Sequence, residues 1–151
     1  MKITDALLGE HAVFYAQFTY LEDTLPQTED LAVIKKHGSM LAAALASHAQ
    51  LEEELLFQKL EPQIGPGGPL AVMRMEHNQI EEYLAQLPDQ NTLEQTRAVM
   101  FETIHTAREH FAKEEQILYP LAVRILGTER LSELGEQWAG QRKVFIVLDQ
   151  N

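Results

Sequence analysis

The chain has no cysteine among its 151 residues. That excludes disulfides, zinc–thiolate clusters and iron–sulfur clusters, and it suits a reducing compartment. Basic side chains are scarce: 12 Lys and Arg stand against 23 Asp and Glu, a formal charge of −11. Such a surface repels phosphate backbones, which argues against nucleic acid as a partner. No apolar run approaches the roughly 18 residues that a membrane span needs. The first residues, MKITDALLGEH, lack the apolar centre and small-residue cleavage site of a secretory signal. Alternating apolar and polar runs are absent too, so no strand signal competes with helix. These absences leave a single cytoplasmic all-α domain over residues 1–151, long enough to bury a core without staples.

Helix formers dominate, and the breakers fall in few places. Thr4 or Asp5 is a cap for a first helix reaching about Asp23, followed by a turn from Thr24 to Thr28 around Pro26. A second helix is expected from about Glu29 to Leu60, stopping at Pro62. The stretch PQIGPGGP, Pro62 to Pro69, reads as a loop. A third helix covers about Leu70 to Leu87, and Thr92 caps a fourth reaching about Leu126. Pro120 inside it predicts a kink or an early end near Tyr119. After Gly127 a short fifth helix runs from Thr128 to Ala139 around Trp138. The apolar tail Val144 to Leu148 either packs back or serves a partner. Short connections make adjacent helices antiparallel, giving an up-down-up-down four-helix bundle over about residues 4–126, with the C-terminal helix and tail at 128–151.

Within this pattern four histidines, His11, His48, His77 and His110, recur 37, 29 and 33 residues apart. A bundle of helices about 20 residues long, roughly 30 Å, returns to a given level at about that interval. The last three histidines are each followed one turn later by a glutamate: Glu52, Glu81 and Glu114. Positions i and i+4 share a helix face. At about 100° per residue, His48 and Glu52 share a stripe with Leu41, Leu45, Leu51 and Leu55. His110 and Glu114 align with Val99, Thr103, Ala107, Ile117 and Leu121, and Glu115 turns away. His77 and Glu81 align with Leu70, Met73, Ile80 and Leu84, while His11 joins Leu7, Leu8, Phe14, Tyr15 and Phe18. Buried carboxylates are costly unless paired or bound to metal. Two or three of them beside four imidazoles in a leucine-rich interior therefore point to cations, and to a dinuclear site. The spacing alone is weak evidence, because His105 and Glu109 share it yet face 100–140° away; they read as a solvated surface pair. His37 lies about 16 Å along the axis from His48, too far for the same cluster. Tyr15 and Met73 read as core filler, with a hydroxyl near the metal as the sharper role for Tyr15.

The segments Glu10-His11, HAQLEEELLF, MEHNQIE and HFAKEEQILYP, spread over about residues 5–122, resemble the hemerythrin-like (HHE cation-binding) four-helix bundles. The resemblance implies a non-haem di-iron centre with terminal histidines and two bridging carboxylates. Carried over by position, its ligands are His11, His48, Glu52, His77, His110 and Glu114. Oxygen-carrying members place two histidines four apart on the third helix, and here the earlier position is Met73. Glu81 is the candidate replacement, giving four histidines and three carboxylates. An oxygen-rich ligand set favours the ferric state and shifts reactivity away from reversible oxygen carriage. Ferritin-like sites, with Glu three residues before His, match less well: Leu45, Arg74 and Ala107 occupy those positions.

The function this implies is binding of dioxygen or a related small ligand, nitric oxide or peroxide, for sensing, storage or scavenging. Alternatives are a peroxidase- or oxidase-like di-iron enzyme, an iron-handling repair protein, and a bundle holding structural zinc or one metal ion. Repair relatives usually carry an extra cysteine-containing domain, which disfavours that reading here. Imidazole and carboxylate also suit zinc and manganese. A homo-oligomer or a protein partner at the tail is compatible with all of these.

Overall fold

The computed structural model describes residues 1–144. Six α-helical segments follow one another: α1 Ile3–Thr24, α2 Leu31–Glu52, α3 Gln58–Ile64, α4 Gly68–Ala85, α5 Leu93–Lys113 and α6 Tyr119–Arg142. A π-helical stretch, Glu53–Phe57, joins α2 to α3, and another, Glu114–Leu118, joins α5 to α6. The six segments therefore form four long helical stretches, and no strand occurs among the described residues. The turns after α1 and α4 are short 3₁₀ helices, Leu25–Gln27 and Leu87–Asp89, each with proline near its start, where the fixed φ suits it. Asp30 caps α2 by accepting from the amides of Ala32 and Val33, and Thr92 caps α5 by accepting from Gln95. The first helix starts earlier than expected, at Ile3. Asp5 folds its carboxylate back onto the Lys2 amide at 3.2 Å rather than standing at the cap itself.

Two proline-based expectations are corrected. Pro62 does not stop the second stretch, because α3 runs through it to Ile64. The ring falls in the last turn, where it removes one ladder bond from a helix already in place. The stop comes at Gly65, whose φ of 78° favours glycine, and helix resumes at Gly68, so little of Pro62–Pro69 is loop. Pro120 neither ends nor interrupts the fourth stretch. It stands at the start of α6, directly after the π stretch that has already opened the ladder, so its missing N–H costs little there. The change of direction falls at Gly127 (φ 74°, ψ 164°), and helical structure then continues to Arg142 rather than Ala139. Of the tail Val144 to Leu148, Val144 is exposed and the rest lies outside the described residues.

Two apolar clusters make the core. One gathers Ile3, Leu7, Leu56, Phe57, Leu60, Leu118, Leu131 and Leu134; the other gathers Phe14, Phe18, Ile34, Leu41, Met100, Ile104 and Phe111. In each long stretch the histidine falls between a residue of one cluster and a residue of the other. The polar layer is thus sandwiched between two dry caps. The C-terminal part of α6 closes one of them by packing on α1. At that crossing a Cβ on Gly135 would lie 2.0 Å from the backbone oxygen of Met1. Gly135→Ala is therefore expected to cost about 1–3 kcal/mol, which lowers the melting temperature by about 2–4 °C per kcal/mol in a chain of this size. A thermal melt followed by circular dichroism checks it, and an unchanged midpoint would contradict this packing.

Candidate metal centre

His11, His48, His110, Glu52 and Glu114 are each no more than 1% exposed, in a layer with apolar residues above and below. His77 joins them less completely, with 16% of its side chain exposed. The π stretches help to place this layer. A π turn holds one extra residue, so side chains beyond it shift by one position around the helix. On the fourth stretch a regular period puts Ile117 and Leu121 on the core face. Instead Ile117 is 58% exposed, and Leu118 and Ala122 are buried. On the second stretch Leu55, Leu56 and Phe57 are all buried in succession. Both irregularities begin at or next to the carboxylates, Glu52 and Glu114, that complete the His-x-x-x-Glu pairs.

Two groups of donor atoms converge: Glu52, His77, His110 and Glu114 in one, and His11, His48 and Glu114 in the other, each with its atoms within 4.8 Å of one another. Glu114 belongs to both. Its Oε1 lies 2.7 Å from Nε2 of His110 and 3.6 Å from Nε2 of His77, and its Oε2 lies 3.2 Å from Nε2 of His11. Glu52 Oε2 lies 3.4 Å from Nε2 of His77 and 3.9 Å from Nε2 of His48. Tyr119 donates its hydroxyl to Glu52 Oε1 at 2.8 Å.

The outer nitrogens of three histidines fix what the inner ones can do. Nδ1 of His11 meets Glu115 Oε1 at 2.9 Å, Nδ1 of His48 meets Glu10 Oε2 at 2.6 Å, and Nδ1 of His110 meets Glu76 Oε2 at 2.8 Å. An ionised carboxylate only accepts, so in the neutral rings the proton sits on Nδ1 and a bare lone pair on Nε2. These lone pairs point at one another and at carboxylate oxygens: Nε2 of His11 and His48 are 3.2 Å apart. Glu52 Oε2, His110 Nε2 and both oxygens of Glu114 are buried without a hydrogen-bond partner. Acceptors facing acceptors in a buried layer are repulsive unless a proton or a metal cation lies among them. The residues present fit metal ions.

The electrostatics agree. Burial, reinforced by the neighbouring Glu52 carboxylate, pushes the Glu114 carboxyl well above its usual range. Burial also opposes charge on Glu52, but His77 and His48 outweigh it and hold that group low. Burial and the adjacent His48 push His11 down to about 4. Burial works against ionisation of Glu10 as well, yet hydrogen bonds with His48, Arg142 and Trp138 bring it to about 2. In the metal-free layer the two buried carboxyls are thus driven apart, Glu114 toward its neutral form and Glu52 toward its charged one.

Glu81 is corrected: it is exposed, outside both donor groups, on the rim of a cavity rather than on the core face. Glu76 is the buried carboxylate on α4, and it serves His110 from outside. Glu115 does not turn away from the centre, because it holds His11 from the flank and takes a hydroxyl bond from Tyr15 at 2.8 Å. The Tyr15 hydroxyl reaches the layer only through this bond to Glu115. His105 and Glu109 are exposed at 3.6 Å, and His37 packs beside Tyr20 away from the centre. Sequence reasoning missed Glu10, Glu76, Glu115 and Tyr119 as supporting residues. The three glutamates each sit next to a ligand in the chain, about 100° off its stripe, so each reaches the histidine of a different helix. Adjacency alone could not single them out, since Glu109 also precedes His110 and stays on the surface.

The centre is not sealed. A cavity of about 540 Å³ opens beside α2 and α4, lined by Leu45, Ala46, Ala49, Ile80 and Leu84 and reaching His48, His77 and His110.

A helical bundle with two inward-facing imidazole–carboxylate groups is a cation-binding domain in its architecture. Residues 2–122 match the hemerythrin HHE cation binding domain, and the chain belongs to that family. No curated protein and no solved structure matches it. Among the described residues no helix is long and apolar enough to cross a membrane.

Proposed function

We propose that the protein is a di-iron protein that binds dioxygen or a related small ligand, nitric oxide or peroxide. The observation that carries this reading is the set of buried acceptors on His110, Glu52 and Glu114 left without a hydrogen-bond partner, beside the Nε2 atoms of His11 and His48 3.2 Å apart. Family membership makes iron the first choice among cations that accept imidazole and carboxylate. The short connections between the four stretches support an up-down-up-down antiparallel arrangement in one domain. Held there, iron supplies coordination positions for a small ligand and one-electron chemistry. The chain's own residues would do the rest. His77, His110 and Glu52 would hold one ion, His11 and His48 the other, and Glu114 would serve both. Glu10, Glu76 and Glu115 keep three rings in the tautomer that presents Nε2 inward. Phe57 stacks on His77 and Phe111 on His11, covering one face of each ring.

Met73, buried at the position where the oxygen carriers have a further histidine, offers no comparable ligand. The cavity beside α2 and α4 reaches His48, His77 and His110, which would give an incoming molecule a route to the layer. Absorption spectroscopy of protein grown in iron-supplemented medium tests this. The expected result is a near-ultraviolet band that shifts on addition of azide or nitric oxide. A colourless protein, or a band indifferent to both, would sink the small-ligand reading.

A further inference from the structure

We infer that the C-terminal part of α6 belongs to the metal centre, with Trp138 and Arg142 acting as positioning residues for His48 through Glu10. The inference rests on the di-iron reading above. Trp138 donates its indole Nε1–H to Glu10 Oε1 at 3.0 Å, and Arg142 Nε donates to the same oxygen at 2.6 Å. The other oxygen of Glu10 holds Nδ1 of His48 at 2.6 Å. Arg142 also reaches across to the Ser47 hydroxyl at 2.5 Å, next to His48 in the chain. One carboxylate is thus clamped on one side by two donors and bonded on the other to a candidate ligand. Its side chain is only 14% exposed.

The three supporting glutamates differ in what holds them. Lys113, one turn from His110, holds Glu76, and Tyr15 on α1 holds Glu115. Both donors lie inside the region that matches the family, residues 2–122, whereas Trp138 and Arg142 lie beyond it. The segment after Gly127 therefore does more than close the core with Leu131 and Leu134. It holds the carboxylate that orients the His48 ring; the Arg142 cation also draws charge from that carboxylate, which by itself makes the imidazole a weaker donor, so the clamp acts through position. A carboxylate behind a metal-bound histidine typically accounts for about 10- to 100-fold in metal affinity. The effect should fall on the His11–His48 position and spare the other.

The test is an anaerobic titration of metal-free protein with iron(II) against a competing chelator, with a thermal melt of each metal-free variant. Trp138→Phe keeps the ring and deletes only the N–H; Arg142→Ala deletes the cation; Arg142→Lys restores a charge. Arg130→Ala removes an exposed ion pair with Glu133 on the same helix and serves as control. The expected result is that Trp138→Phe and Arg142→Ala each weaken one of two iron sites by part of the about 10- to 100-fold that the carboxylate itself accounts for. Arg142→Lys should recover part of the loss, and Arg130→Ala should match the wild type. Unchanged affinities would overturn the inference. So would equal weakening of both sites in step with a lowered melting temperature, which would mark a merely structural role. Wild-type protein that binds no iron would overturn this inference and the di-iron reading together, whereas normal wild-type binding with indifferent variants removes the inference alone.

Discussion

Glu114→Ala is expected to empty the centre of both cations. Its carboxylate is the one group shared by the two sets of donors, with one oxygen toward His110 and His77 and the other toward His11. Truncation removes a charged ligand from each ion at once, and it leaves four imidazoles and a single carboxylate to neutralise two divalent charges in a dry interior. His48→Ala should be milder, because it strips one donor from the three-residue group and leaves Glu52, His77, His110 and Glu114 intact. Elemental analysis after desalting should therefore show near-complete loss for Glu114→Ala and loss of one ion of two for His48→Ala. His105→Ala and His37→Ala should show no loss, since neither residue belongs to a donor group. Full occupancy in Glu114→Ala would mean that the layer has been misassigned.

The second large effect is a substitution whose sign depends on metal. In the metal-free protein burial and Glu52 raise the Glu114 pKa well above 4.5. The folded state then keeps a proton that the unfolded chain releases above about 4.5. With more protons bound in the folded state, stability must fall as pH rises from there toward the raised folded pKa. Glu114→Gln has no such proton to lose. Metal-free Glu114→Gln should therefore be more stable than metal-free wild type at pH 7, with the gap closing as pH falls toward 4.5. His11 acts in the opposite direction. Its folded pKa of about 4 lies below 6.5, so the unfolded chain binds more protons between those values and stability rises with pH there. Glu114 Oε2 lies 3.2 Å from Nε2 of His11, so this contribution differs between the two proteins; it acts below about pH 6.5, and the comparison at pH 7 lies outside that range. With iron supplied the order should reverse. A ligand at 1,000 times its dissociation constant stabilises by about 4 kcal/mol, worth about 8–16 °C in a chain this long, and the amide binds the ions far less well. Melts of both proteins, with and without iron, across pH 5 to 8 check this. A substitution that destabilises under every condition would show that Glu114 is an ordinary packed residue.

What was legible in the sequence was the level and the face. Recurrence of His11, His48, His77 and His110 follows from chain length per helix, and the core-facing side of each follows from a period of 3.6, provided that the period holds. It holds up to each carboxylate and then fails. Beyond Glu114 the buried residue is Leu118 where a regular helix puts Ile117, because the π stretch adds a residue that no propensity scale signals. Proline misled for a related reason. Pro62 and Pro120 read as breakers, but one falls in a last turn and the other just after a ladder already opened. Glu81 was misjudged although its spacing from His77 matched the other pairs. On α4 the buried positions are Leu70, Met73, Glu76, Ile80 and Leu84, and His77 itself stands at the edge of that face, so a residue one turn further on reaches solvent. The flanking set, Glu10, Glu76 and Glu115, depends on how neighbouring helices are rotated against one another, which a one-dimensional pattern does not carry.

The most direct measurement is metal content per chain, by elemental analysis of protein produced in iron-supplemented medium. The arrangement of two donor groups around Glu114 predicts two iron ions per chain. One ion or none, under conditions where the protein is folded, would contradict it and leave the buried lone pairs of this layer without the cations they are proposed to hold.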